Sequence, residues 1–316
     1  MMDKAAPRSI PGAPYVAAVV VTLLWSSSFV LIKWGLSDIP PLFFATLRYA
    51  LAFSILLALD MMKSPRNVGS LAGGKRQITL LVLAGLGGYT VAQGLQFVGL
   101  YYLPAVTTSF LLNFNPFFVL ILSVALLGEG SSLPQYGGLA LALVGSWAFF
   151  SQQAAMGGQL LGVAIVIVSG LGWAFYVVAV RMLQRAGGMD SLRLTTATMG
   201  VGVGGMVAMT VLAGQYAALT ANGILIIIWL ATANTALAFF LWNWSLKEIP
   251  AYELTVLQDL MLIEIAVFAF VFLQETITPL MIGGMALVLV GVFMVQIAAK
   301  RGYNRGNLAQ GGRSGS

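Results

Sequence analysis

The sequence predicts an all-α polytopic membrane protein with ten transmembrane helices in two inverted five-helix repeats. Three observations lead there: too few charges for a soluble body, ten apolar runs of spanning length, and a constant offset that maps one half of the chain onto the other. Of 316 residues, 59% are hydrophobic and 8% charged, against about 25% charged in an ordinary soluble domain. A chain of 33.5 kDa with that charge content cannot cover its surface for water, so lipid must solvate most of it.

A spanning helix needs about 20 mostly apolar residues. Bounding such runs by charges, prolines and glycine-rich breaks gives spans at 14–35, 40–62, 77–100, 104–127, 133–151, 158–183, 190–213, 222–246, 250–273 and 278–299. The first run is too long for a cleaved signal peptide and lacks a small-residue cleavage site. Cytoplasmic loops should hold the excess of Lys and Arg. With the N-terminus inside, inner segments hold 14 of the 16 cations, leaving only Lys33 at an outer end and Arg48 within a span. Both termini and the loop from Lys63 to Arg76 are therefore expected in the cytoplasm, and a bacterial inner membrane is the expected location. The longest internal loop has no apolar periodicity, so no soluble catalytic domain is expected.

Sliding the chain by 146 residues brings Pro104 onto Pro250, Glu129 onto Glu275, Gly137-Gly138 onto Gly283-Gly284 and Val144-Gly145 onto Val290-Gly291. At an offset of 148, Trp25 falls on Trp173 and Lys33 on Arg181. This gives a first repeat over 1–153, a second over 154–300, and a flexible basic tail over 301–316. Five spans per half is odd, so the second half enters from the opposite side, the inverted-topology arrangement of secondary transporters. Two nearly equivalent packings around a midplane site then provide alternating access. Gly138, Ala142 and Gly145, with Gly284 and Gly291, read as close-packing positions of spans 5 and 10. Ser132 and Thr278-Pro279 read as helix starts, and Glu129 and Glu275 beside them as structural or interfacial.

These residues resemble the EamA-type members of the drug/metabolite transporter superfamily over nearly the whole chain. The resemblance rests on Trp25-Ser26-Ser27-Ser28-Phe29 with Ile32-Lys33, Leu47-Arg48-Tyr49, Leu126-Leu127-Gly128-Glu129, and Gly137-Gly138 to Val144-Gly145. Trp173, Gln274-Glu275 and Gly283 to Gly291 repeat the pattern in the second half. It implies a ten-helix fold, a central cavity lined by spans 1, 3, 4, 6, 8 and 9, and small polar solutes as cargo; the nearest branch is the bacterial amino-acid exporters of the YddG type. Two departures stand out. Asn115-Pro116 of span 4 has no counterpart in span 9, where Met261-Leu262 stand, and Gln274 replaces the glycine usual before the glutamate.

Polar side chains at membrane depth must face protein or water. By depth alone, the candidates for substrate contact are Trp25, Ser27, Tyr89, Gln93, Asn113, Asn115, Trp173, Tyr176, Asn234 and Asp259. Against that role, serines in spanning helices often bond back to the preceding turn. The tryptophans could be packing, and the asparagines before Pro116 could satisfy a kink. An ionised Asp259 at a helix centre would cost about 2.5–3.5 kcal/mol on insertion scales, which favours function. Arg48 lies 8 residues, about 12 Å, below the outer end of span 2 and Glu264 9 residues, about 13.5 Å, below that of span 9, so an ion pair between them is a further expectation.

Without His or Cys, thiol nucleophiles, His-based acid–base work and Cys/His zinc sites are excluded. No enzyme activity, metal or cofactor is expected. The expected partners are a small-molecule substrate and the bilayer, with no nucleic acid, on a monomeric chain. The leading function is export of aromatic or neutral amino acids. Export of nucleosides, polyamines or cationic compounds stands as the alternative, and an intramembrane enzyme acting on lipid ranks below both.

Overall fold

The computed structural model describes residues 13–63, 74–127, 132–151, 157–186, 189–248 and 257–311. Apolar runs form eleven helical segments: α1 Ala13–Gly35, α2 Pro41–Lys63, α3 Lys75–Tyr102, α4 Ala105–Leu112, α5 Asn115–Leu127, α6 Leu133–Phe150, α7 Gly157–Ala186, α8 Ser191–Ala213, α9 from Ala221 to Glu248, α10 Met261–Leu273 and α11 Pro279–Gly311. Among the described residues, seven helical stretches are long and apolar enough to cross a membrane, with α4 and α5 counted as one. Together with α6, α10 and α11 they make the ten expected spans.

The repeat is visible in backbone irregularities as well as in sequence. In α3 the helix widens to a π-helical stretch over Leu86–Gln93, and in α9 the same happens over Thr232–Leu237; the two start 146 residues apart. Span 4 tightens at Phe114, whose N–H donates to the Leu111 carbonyl at 3.2 Å. Span 9 tightens at Leu260, whose N–H donates to the Leu257 carbonyl at 3.1 Å, again 146 residues on. Pro116 accounts for the first break, since it has no N–H to give to the preceding turn.

Each half packs across the other. The third span of each repeat lies against the first two spans of its opposite: α3 on α7 and α8, α9 on α1 and α2. The fourth spans follow suit, with α5 on α7 and α10 on α1. The fifth spans pair with each other as α6 and α11. A Cβ added at Gly138 would come 2.5 Å from the Gly291 carbonyl oxygen, and one at Gly145 2.7 Å from that of Gly284. The offset turns each of these contacts into the other, as an antiparallel pair on a pseudo-twofold axis requires. Only glycine admits such backbone approach.

Helix ends follow local rules. Ser132 donates its N–H to Gln135 Oε1 at 2.7 Å, and Thr278 Oγ1 accepts the Met281 N–H at 3.3 Å. Asp190 caps α8 by accepting the Arg193 N–H at 2.8 Å and also meets Lys63 Nζ at 3.0 Å; the Arg193 amide, foremost, holds its carboxyl below the usual range. One feature departs from expectation: span 4 is two segments. α11 runs on as helix to Gly311, no proline following Pro279 to stop it. Glu129 lies outside the described residues.

Candidate functional site

The mid-span polar residues fall on two interfaces that the repeat relates. At the first, α1 meets α9 and α10. Asn234, wholly buried in the π stretch of α9, donates from Nδ2 to the Leu24 carbonyl and, at 3.2 Å, to Ser27 Oγ. Ser27 spends its own hydrogen on the Leu24 carbonyl at 2.8 Å, so it can only accept from Asn234. These contacts fix the amide's orientation and leave Oδ1, buried and with no hydrogen-bond partner among the described residues. Trp25 packs its ring against Phe239 and Trp242 of α9, at centroid distances of 5.8 and 5.1 Å. Glu264 of α10 meets two hydroxyls of α1, Thr22 at 2.9 Å and Ser26 at 2.8 Å.

At the second interface, α7 meets α3 and α5. Tyr89 and Tyr176 bring their hydroxyls to 3.3 Å, Trp173 stacks on Tyr176 at 5.2 Å, and Ser169 donates to the Ala92 carbonyl at 2.6 Å. Gln93 accepts the Tyr49 hydroxyl at 2.7 Å, tying α2 to α3. Asn115 begins α5 beside Gly170 of α7, where a Cβ would come 2.9 Å from its Oδ1. That oxygen, too, is buried without a hydrogen-bond partner among the described residues. A buried acceptor left open at membrane depth costs free energy that only a donor can return. An N–H or ammonium group of a solute is such a donor.

Of the depth-selected residues, Ser27 and Asn234 are joined directly, as are Tyr89 with Tyr176 and Trp173 with Tyr176. Trp25 and Trp173 sit on separate interfaces. Asn113 donates from its side chain to the Ser109 carbonyl at 3.2 Å, which already accepts the Asn113 N–H at 3.0 Å, so this bond does not serve the Leu112 carbonyl that Pro116 leaves without its donor. Asp259 is buried in the tightened turn just before α10. Of the serines expected to bond back, Ser27 and Ser28 do so, whereas Ser26 instead reaches Glu264.

The expected Arg48–Glu264 ion pair is not formed. Arg48 is buried, donates from Nε to Thr235 Oγ1 at 3.1 Å, and lies over the rings of Tyr49 at 5.3 Å and Phe97 at 5.8 Å. Thr235 passes its own hydrogen to the Leu230 carbonyl at 2.8 Å, five residues back along α9. Among the described residues the ion pair within 4.0 Å is Lys63–Asp190. Depth fixes one coordinate only: α2 packs on α3, α8 and α9 while α10 packs on α1 and α4.

Reading by depth gave Thr22 and Thr235 no role and Ser26 that of a serine bonding back to its own helix, because hydroxyls are cheap in a helix and their partners are non-local. Glu275 proves structural, as expected: its carboxylate accepts the Ala105 N–H at 2.6 Å and the Val106 N–H at 3.0 Å, capping α4 across the repeat. Gln274 before it has φ 56°, the left-handed conformation that makes glycine usual there.

A helical bundle of two interlocked inverted repeats, with polar groups at mid-span, defines a polytopic membrane protein of the secondary-transporter kind. The chain matches the EamA-like transporter family over residues 13–151 and again over 160–297, and it belongs to that family. It is 27% identical over 273 residues to an uncharacterized transporter of Archaeoglobus fulgidus, covering 83% of this chain and 89% of that one. A probable amino-acid metabolite efflux pump of Salmonella typhimurium is 26% identical, covering 88% and 92%. An S-adenosylmethionine/S-adenosylhomocysteine transporter of Chlamydia trachomatis is 31% identical over 160 residues, 48% of each chain. A solved crystal structure shares the fold, with a TM-score of 0.63 at 15% identity over 92% of this chain and 98% of that one.

Proposed function

We propose that this transporter exports small amine-bearing metabolites, aromatic or neutral amino acids first among them, by alternating access around the mid-span polar groups. The observation behind this reading is the open Oδ1 of Asn234, an acceptor whose orientation is fixed by its other bonds and which lacks a donor. An ammonium offers three N–H groups and no acceptor, so it suits that oxygen and the matching one of Asn115. The rings of Trp25, Phe239 and Trp242 on one side, and of Trp173 and Tyr176 on the other, offer faces for apolar side chains and for the cation.

The relatives support the class. One is named for amino-acid metabolite efflux, and S-adenosylmethionine, named for another, has an amino-acid end of the same chemistry. The cation distribution along the sequence supports a bacterial inner-membrane placement with both termini in the cytoplasm.

The test is counterflow. Purified protein in liposomes preloaded with unlabelled phenylalanine should take up labelled phenylalanine without nucleotide or other cofactor. Asn234→Leu, similar in size, should cut that flux about a hundredfold by removing a buried hydrogen bond to a charged group while running as folded protein on size exclusion. No counterflow in the wild type with any of the aromatic or neutral amino acids would overturn the proposal.

A further inference from the structure

Arg48 carries a charge to which its surroundings offer no counterion. Its exposure is 5%, and it lies about 12 Å below the outer end of its span, within the hydrocarbon zone. A guanidinium has five N–H donors and no acceptor. One of them is used, by Nε toward Thr235 Oγ1 at 3.1 Å. The described residues give Nη1 and Nη2 no acceptor, and none of their carboxylates lies within 4.0 Å.

The elements packed against α2 are α3, α8 and α9, and they explain why. α3 and α8 contain no Asp or Glu. Glu248 stands thirteen residues beyond Thr235 in α9, about 20 Å along the helix. Asp60 stands twelve residues beyond Arg48 in α2, about 18 Å along. Asp190 before α8 is held by Lys63, and Glu264 by Thr22 and Ser26 of α1. Nearby oxygens are already engaged: Gln93 Oε1 accepts the Tyr49 hydroxyl at 2.7 Å, and Thr46 Oγ1 meets Thr210 Oγ1 at 2.8 Å. The rings of Tyr49 and Phe97 face the cation and stabilise it, but they give its N–H groups no oxygen.

The repeat does not demand a cation in this place. The offset of 148 takes Arg48 to Thr196, whose hydroxyl bonds back to the Leu192 carbonyl at 2.9 Å. That of 146 takes Thr235 to Tyr89, so the mirror contact of α8 with α3 has hydroxyls where α2 and α9 have a guanidinium. The setting of Arg48 has a second feature. Asn234 and Thr235 are consecutive in the π stretch, the first bonded to α1 and the second to Arg48 of α2. An oxygen without a donor and a guanidinium without an acceptor are thus brought to one level of the membrane by adjoining faces of α9.

We propose that Arg48 is the carboxylate site of this transporter. The planar fork of its terminal N–H groups takes both oxygens of a cargo carboxylate, which supplies the partner that a buried charge requires. Cargo is then a zwitterion with a free carboxyl group, and amines without one, polyamines included, are rejected. The zwitterion rests on the amine reading of Asn234; the carboxylate site stands without it.

Calorimetric binding to the purified full chain in low-chloride buffer tests it. Phenethylamine, which is phenylalanine without the carboxyl group, should bind at least about a hundredfold more weakly than phenylalanine. 3-Phenylpropionate, the carboxylate without the amine, should bind the wild type weakly and lose about tenfold or more in Arg48→Gln. If Arg48→Gln does not run as folded protein on size exclusion, Arg48→Lys makes the same comparison, since lysine keeps the charge but not the fork; a loss of about tenfold is expected there too. Chloride at equal concentration should not displace 3-phenylpropionate. Phenethylamine binding as tightly as phenylalanine would overturn the proposal. So would 3-phenylpropionate binding that is missing in the wild type or unchanged in the Arg48 variants, or its displacement by chloride, the mark of a site for any small anion. Failed counterflow of phenylalanine leaves the 3-phenylpropionate comparison readable, and failure of that comparison leaves the amine reading in place, so the two results are separate.

Discussion

The two interfaces that the repeat makes equivalent have the same backbone and opposite chemistry. Where α1 meets α9 and α10 there are an amide, hydroxyls and a carboxyl: Asn234, Ser27, Thr22, Ser26 and Glu264. Their counterparts where α7 meets α3 and α5 are Gly88, Phe175, Gly170, Ala174 and Phe118, and there a Cβ on Gly88 would strike the Tyr176 ring. Matching breaks, π stretches and helix pairings show that backbone symmetry survives this divergence. Inverted repeats thus keep two similar packings, while at these five positions side chains make one interface polar and the other apolar.

The largest way to break that contrast is to put the carboxyl on the wrong side. Phe118→Glu would place an acid against Gly170 and Ala174, which offer no hydroxyl, at a cost of about 3 kcal/mol on insertion scales. The expected outcome is loss of most folded protein by size exclusion, and adding Gly170→Ser should recover part of it by restoring a donor.

Next in size is the shared α6–α11 seam. Gly145→Ala must displace the Gly284 carbonyl, and overpacking of this kind costs about 1–3 kcal/mol. The melting temperature should fall, and Gly291→Ala, which must displace the Gly138 carbonyl, should lower it by a similar amount because the pseudo-twofold axis makes Gly145 and Gly291 equivalent. Unequal losses would show that the seam has diverged like the polar interfaces.

Gln274→Gly sharpens the comparison from the stable side. It relieves a left-handed residue, which costs roughly 1–2 kcal/mol for non-glycine, against the extra freedom glycine has when unfolded. A net gain of about 0.5–1 kcal/mol is expected, read as a higher melting temperature with unchanged flux.

Smallest of all is the coupling between Arg48 and Glu264. Since each has its own partners, the effects of Arg48→Gln and Glu264→Gln on melting should add within about 0.5 kcal/mol. A double variant much more stable than the sum would restore the ion pair that depth alone suggests.

How much was legible in the chain follows from which interactions are local. Ten spans and the repeat could be read because apolar runs and the 146-residue offset are written directly in residue order. Pro116 announced the break at Phe114. No proline marks the break at Leu260, yet the same offset locates it once the first is known. The π stretches left no local sign: in α3, Gly87 and Gly88 let α7 approach with Phe175 and Tyr176, and in α9 the Thr235 hydroxyl reaches the Leu230 carbonyl five residues back. Depth singled out Asn234 and Asn115 as polar groups near mid-span, and the structure buries the first wholly and the Oδ1 of the second. It could not say that each would keep an open oxygen, which depends on what the opposite helix presents. Arg48 and Glu264 show the same boundary, since depth is one coordinate and helix packing sets the other two.

The central claim, that the open amide oxygen of Asn234 at the polar interface reads the amine of a cargo, is tested most directly by calorimetric binding of two ligands that differ only there. Purified protein should bind phenylalanine and bind 3-phenylpropionate, which lacks the amine, at least about a hundredfold more weakly, because a site built for a donor rejects the analogue without it. In Asn234→Leu the two ligands should bind with nearly equal, weak affinity. Equal affinity of the wild type for both ligands would contradict the account.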